Sequence, residues 1–252
     1  MDAGPGSGEG RERAVVDDDS LRVAAGDPLA ALVEAAALGG GERVLDLGSS
    51  AGYVALALAP RAGQVLALDP SPGAVREVRR LVRVRGLRNV FPVLAEGDPL
   101  PCPDESLDLV VCRYAAHHLP DLPGALWEVG RVLRPGGRLL VVDTIAPEDR
   151  ALDEFLNQVE ALRDPSHAHD YRLSEWRRVL EKLGFRYELL SRWELRFDFT
   201  EWVAQAGTPP EDVARLEALF DAAPPGVVEA FRIMWPARSF RLSAALLLGT
   251  WG

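Results

Sequence analysis

Cysteine is scarce in this sequence: Cys102 and Cys112 are the only two in 252 residues. Two thiols make no disulfide framework, and these two lack the spacing of a zinc site. A reducing, cytoplasmic setting is expected. Long apolar runs are missing as well. A membrane helix needs roughly 20 apolar residues in a row, and the longest run near the end, Ala244–Leu248, is strand-sized. The opening residues, MDAGPGSGEGRER, hold no apolar segment, so no secretory leader is expected. Positive charge is in deficit: 28 Lys and Arg stand against 38 Asp and Glu, a net charge of −10, with a pI near 5.0. That balance argues against a nucleic-acid partner, which needs a basic surface. Residues 1–19 are rich in glycine and charge and are expected to form a flexible arm.

What is present suits one packed domain over residues 20–252. Hydrophobic residues make up 48% of the chain, enough for a core. Short apolar strands alternate with amphipathic helices. Asp27-Pro28 opens a helix that stops at Gly39-Gly40-Gly41. Arg43–Leu47 reads as a strand, Gly48–Gly52 as a tight turn, and Tyr53–Ala59 as a helix. Strand Gln64–Asp69 precedes helix Pro72–Arg85, which Ser71 caps. Asn89–Ala95 is a weaker strand, with Pro92 marking a sheet edge. Strand Leu107–Cys112, helix Asp121–Leu133, a turn at Pro135-Gly136-Gly137 and strand Arg138–Asp143 complete the series. Such alternation implies a doubly wound α/β fold with a mostly parallel sheet. Ligands of such sheets lie beyond the carboxyl ends of the strands. Asp46, Asp69, Glu96, Arg113 and Asp143 all fall at that register.

After Asp143 the rhythm changes. Helices are expected at 148–162, 174–183, 200–206, 209–222 and around 227–234. Residues Tyr187–Phe199 alternate as a half-buried strand, and Phe240–Trp251 reads as a closing strand. Trp176, Trp193, Trp202, Phe197 and Phe199 suit core packing, with an apolar pocket as the alternative. The run Arg76, Arg79, Arg80, Arg83, Arg85 and Arg88 reads as a solvated face.

The turn after the first strand gathers backbone N–H groups at the positive end of a helix, a place for an anionic or nucleoside-bearing ligand. The dinucleotide fingerprint needs glycine at its first, third and sixth positions. Counted from Gly48, this chain offers Ser50 and Tyr53 at the last two, so a nucleotide-dependent oxidoreductase is the weaker reading. Taken singly, Asp46 as a turn cap and Asp69 as a turn starter have ordinary structural explanations; together they favour a site.

The stretches VLDLGSSAGYVALALA, ALDPSPGAV, AEGDPLPCPDESLDLVVCRYAAHHLPD and EVGRVLRPGGRLLVVD follow in an order and at a spacing that resemble class I S-adenosylmethionine-dependent methyltransferases. They look most like the ubiquinone/menaquinone-biosynthesis-type, small-molecule branch. The resemblance covers about residues 43–143. It implies a seven-stranded sheet whose last strand is antiparallel, with helical lid insertions at 144–184 and 199–236. It also implies S-adenosylmethionine as cofactor and a small-molecule acceptor. Carried over, Asp46, Gly48, Ser49, Ser50 and Gly52 cradle the methionine part. Asp69, followed by Pro70, takes the ribose hydroxyls, and Glu96, beside Gly97, accepts from the adenine amino group. Arg113 holds the methionine carboxylate or fixes its loop. Ser50 stands where the family usually has glycine; if that position needs positive φ, its Cβ costs about 1–2 kcal/mol. A relative that binds the cofactor without turnover is the remaining alternative.

All four histidines fall in two clusters, His117-His118 and His167-Ala168-His169, the second followed by Asp170. Imidazole titrates near neutral pH, so His117 and His118 are the candidates for a general base. A metal site would require the two clusters to converge, and none is expected.

Overall fold

The computed structural model of the protein describes residues 27–252. The expected arm, residues 1–19, lies outside them. The elements follow the sequence periodicity closely: α1 (Pro28–Ala36), β1 (Arg43–Leu47), α2 (Tyr53–Leu58), β2 (Gln64–Asp69), α3 (Pro72–Arg85), β3 (Val90–Leu94), β4 (Leu107–Arg113) and α4 (Leu122–Val132). Then come β5 (Leu133–Ile145), α5 (Arg150–Arg163), α6 (Leu173–Leu183), β6 (Phe185–Asp198), α7 (Phe199–Ala206), α8 (Pro210–Asp221), α9 (Pro225–Ala230) and β7 (Ser239–Trp251).

The strands form one seven-stranded sheet in the order β3-β2-β1-β4-β5-β7-β6. Only β7 runs antiparallel to its neighbours β5 and β6. The chain winds outward from β1 through β2 to β3, then returns to lay β4 beside β1. That reversal leaves a crevice above the carboxyl ends of β1 and β4. Because strand side chains alternate, the apolar strands feed two cores. Leu45, Val110, Leu139 and Trp176 belong to one; Val44, Leu109, Leu140 and Leu58 to the other.

Two segments differ from expectation. Pro135-Gly136-Gly137 does not end one element and start another. Leu133 already pairs with Leu107, and pairing resumes at Leu109 with Arg138, so the three residues bulge out within β5, with Gly136 at φ +76°. Phe199, expected at the end of β6, instead opens α7, because Asp198 accepts hydrogen bonds from the Thr200 and Glu201 N–H groups and caps that helix. A third core lies off the sheet, where Phe199, Trp202, Leu216, Phe220 and Phe231 pack with Phe240 and Leu242 of β7. Among the described residues, no helix is long and apolar enough to cross a membrane. Cys102 and Cys112 are both buried and unbridged.

Candidate functional site

The crevice above β1 and β4 holds a cavity of about 490 Å³, within the range of small-molecule sites. One end is made by the turn after β1. Gly48 and Ser49 donate their N–H groups to the Leu68 carbonyl at 3.0 and 2.9 Å, which docks the turn on the end of β2. Gly48 sits at φ +74°, and a Cβ there would come within 2.4 Å of the Ala115 Cβ. Gly52, at φ +81°, would push a Cβ to 2.9 Å from Val78. Both glycines are therefore required by space as well as by backbone angle. Ser50 sits at φ +46°, so the strain anticipated for its Cβ is present.

Asp69 ties the turn to the next unit. One carboxylate oxygen accepts the Ser50 N–H and the other the Ser71 N–H, both at 2.8 Å. Each oxygen keeps a further acceptor site, and Asp69 lines the cavity. Asp46, 1% exposed, accepts the Ala55 N–H at 3.0 Å and so braces α2. Its turn-capping explanation thus holds, yet it too lines the cavity. Burial pushes its carboxyl up to about 6. Arg113, at the end of β4, lies over the Tyr114 ring at 4.9 Å, and both line the cavity.

The opposite end is built from the residues after β4 and from the end of β5, its neighbour in the sheet. His117 donates its backbone N–H to one Asp143 oxygen at 3.1 Å, and its Nδ1 lies 2.6 Å from the other. The buried Asp143 also accepts the Thr144 N–H. Burial alone would lower the His117 pKa. The Asp143 carboxylate, by charge and by hydrogen bond, and then Asp170 and Glu160 outweigh it and raise the value to about 9. The same acids therefore favour protonation of His117 to a pH well above that of an ordinary histidine. His118 Nδ1 sits 3.1 Å from both the Ser166 carbonyl and the Ser166 hydroxyl.

The second histidine cluster does arrive here. The Ala168 and His169 N–H groups donate to the His117 carbonyl at 2.7 and 3.1 Å. Burial pulls His167 down to about 4, so it is neutral. His117, Asp143 and Asp170 each offer one atom within 4.8 Å of the others. Nδ1 of His117 and both oxygens of Asp143 are already engaged in hydrogen bonds. His117 and Asp143 are thus committed to each other, and of the three only Asp170 has carboxyl oxygens without a hydrogen-bond partner.

Among the residues chosen from sequence, Asp46, Gly48, Ser49, Ser50, Asp69, Arg113, His117 and His118 line the cavity. Gly52 shapes the turn from behind. Pro70, Glu96 and Gly97 are not on the wall: Ser71 takes the place beside Asp69, Glu96 is exposed, and Gly97 faces Leu119 and Leu47. Sequence reasoning missed Tyr114, Glu160, Arg163 and Gln205, which do line it. Glu160 carried a signal: an acid one step from Val159 on the apolar face of α5, 6% exposed and paired with Arg163 at 3.0 Å. Trp202 and Phe197 reach the cavity; Trp176 stays in the core beneath the sheet.

The chain resembles known methyltransferases in sequence and in fold. A family model described as "Methyltransferase domain" matches residues 45–141. The chain is 38% identical over 193 residues to the uncharacterized methyltransferase YcgJ of Bacillus subtilis, covering 77% of this chain and 76% of that protein. The YcgJ crystal structure superposes with a TM-score of 0.86 at 34% identity, covering 88% and 97% of the two chains. A putative methyltransferase from Bacillus halodurans gives 0.85 at 35% identity, over 89% and 99%. The ubiquinone/menaquinone biosynthesis C-methyltransferase UbiE of Serratia proteamaculans is 34% identical over 46% of this chain and 49% of its own length. At 38% identity to a methyltransferase covered over three quarters of its length, and with the same fold, the chain belongs to the class I S-adenosylmethionine-dependent methyltransferases.

Proposed function

We propose that the cavity takes S-adenosylmethionine at its glycine-turn end and a small-molecule acceptor at its lid end. The observation that carries this is Asp69: a buried carboxylate fixed by two N–H groups, one of them from the turn itself, and facing the cavity. The cradle fits the cofactor, because Gly48 leaves no room for a side chain and presents bare backbone. Asp46, Gly48, Ser49, Ser50 and Gly52 surround the methionine part, with Arg113 as counter-charge for its carboxylate. Asp69 accepts from the ribose hydroxyls. The adenine side is assigned to the Pro70 turn and to the loop of Glu96 and Gly97, which has to swing inward to reach it.

The bound cofactor supplies a methyl group on a sulfonium. The chain's own task is alignment and exclusion of water. Segments 144–184 and 199–236 form the acceptor lid, and Leu195, Phe197, Trp202 and Leu242 offer an apolar wall to the acceptor's body. Asp143 holds Nδ1 of His117, which leaves Nε2 as the edge that meets the acceptor's proton, with His118 beside it as the second candidate. We place the reaction in the cytoplasm, where two unbridged thiols suit a reducing setting.

Asp69→Ala tests the assignment by calorimetry with S-adenosylhomocysteine. Affinity is expected to fall by roughly 10-fold or more, since a buried acceptor of charge-assisted hydrogen bonds is lost. Unchanged affinity would remove the cofactor from this end of the cavity.

A further inference from the structure

Two buried ion pairs close the lid end of the cavity: Asp143 with His117, and Glu160 with Arg163. A third acid is left over. Asp170 is 2% exposed, and neither of its carboxyl oxygens has a hydrogen-bond partner. Its place is nonetheless firmly built. Asn157 of α5 accepts the Asp170 N–H at 2.7 Å and donates to the Asp170 carbonyl at 3.2 Å. The backbone is clamped on both sides while the side chain faces the cavity within 4.8 Å of His117. A buried charge without a partner is strongly disfavoured, so such a group takes up a proton or a cation. Since the Asp143 oxygens and His117 Nδ1 are already engaged, a cation would have to dismantle that pair. A proton requires nothing but Asp170.

We propose that Asp170 is a positioning residue that acts through His117. It completes an Asp143–His117–Asp170 row and decides when His117 can take the proton of an acceptor whose methylated atom carries an ionisable hydrogen. This rests on the acceptor lying at the lid end. With Asp143 ionised, the row at net −1 holds one internal proton, on His117 or on Asp170. When Asp170 holds it, Nε2 of His117 is bare. The acceptor's lone pair then forms the new bond to the methyl carbon, the carbon–sulfur bond breaks with its electrons left on sulfur, and the acceptor's proton passes to Nε2. The row ends neutral overall. Burial, the Glu160 charge and the Asp143 charge push the Asp170 carboxyl well above the usual range, against the lowering pull of His117 and Arg163, so Asp170 competes with His117 for that proton. The imidazoles of His118 and His167 also stand beside His117, at 4.1 and 5.7 Å between ring centroids, and the Arg163 guanidinium pairs with Glu160 on the same cavity wall.

The test is nitrogen NMR of full-length protein carrying isotope-labelled histidine and saturated with S-adenosylhomocysteine. The His117 signal is identified by its loss in His117→Gln. In the wild type its midpoint is expected near 9. In Asp170→Asn the midpoint should fall by roughly one pH unit or more, the effect of removing a nearby carboxyl, and Asp170→Glu should bring it back. Unchanged S-adenosylhomocysteine affinity certifies that the Asn variant is folded; should it not fold, Asp170→Ser removes the same carboxyl and reads the same coupling. An unmoved midpoint in both variants overturns the proposal. So does a stoichiometric zinc, manganese or magnesium ion found in the purified protein and lost on Asp170→Asn. If the wild type binds no S-adenosylhomocysteine, the cofactor assignment falls instead, and titration of the protein alone still decides whether Asp170 governs His117.

Discussion

Asp46 bears a charge where burial resists one. Its pKa rises from 3.8 to about 6, with burial as the leading cause. The folded protein therefore binds this proton more tightly than the unfolded chain. Stability from this group is fully present below pH 3.8 and is lost as the pH climbs through 6. Asp46→Asn keeps an oxygen for the Ala55 N–H and removes the charge. Urea unfolding above about pH 7 should show the variant more stable, by up to about 3 kcal/mol. The gain should vanish below about pH 4, where Asp46 is neutral in both states. Cofactor affinity should drop in the same variant, the usual exchange of stability against function at a site. Ser50 is a second strained position of this kind. Its identity was a visible departure in the sequence, while its φ of +46° was only conditional on the turn's shape. Tyr114, at φ +50° on the cavity wall, gave no sequence signal at all, because a bulky residue in that region is stabilised only by tertiary contacts.

At the scale of elements, the strands and helices were legible because each carries its own period and its own cap. Ser71 and Asp121 cap the helices they precede, and Gly86 and Gly184 close α3 and α6 in left-handed geometry. The Pro135-Gly136-Gly137 bulge was less so: a turn signal does not reveal that the strand resumes pairing in the same ladder on its far side. Equally hidden was what holds the long loop between β3 and β4. Arg131 of α4 donates to the Leu100 and Cys102 carbonyls at 3.1 and 2.9 Å, and its partner Glu128 accepts the Leu100 N–H at 2.8 Å. Glu128 is 4% exposed. Arg131→Ala would strip that acid of its counter-charge and leave it only the Leu100 N–H, so a loss of about 1.5–3 kcal/mol is expected in chemical denaturation. The double variant with Glu128→Gln should recover part of it, and equal losses in the two would show that the uncompensated Glu128 charge is not the cause. Because this loop carries Glu96, a weaker hold should also appear as lower S-adenosylhomocysteine affinity in Arg131→Ala.

The whole molecule joins two bodies of packing that the sequence displays separately: a sheet with its two cores, and a helical cap with a core of its own on β7. The cavity lies on their seam. The end proposed for the cofactor was legible because its parts are local, a turn and the residue ending the next strand. The end proposed for the acceptor was not, since Glu160, Trp202, Gln205 and Leu242 are far apart in the chain and meet only through the fold. This division makes the two ends separable by substitution. Ala206, in the last turn of α7, is half-buried and lines the cavity, so a larger side chain there projects into open space rather than into a packed core. Ala206→Phe should leave S-adenosylhomocysteine affinity within about threefold of the wild type, since the cofactor end is untouched and changes away from packed features stay within about 0.5 kcal/mol. Methyl transfer to any acceptor seated against α7 should fall sharply, because the added ring takes the acceptor's volume. If cofactor affinity collapses while transfer per bound cofactor persists, α7 covers the cofactor and the acceptor must enter from elsewhere.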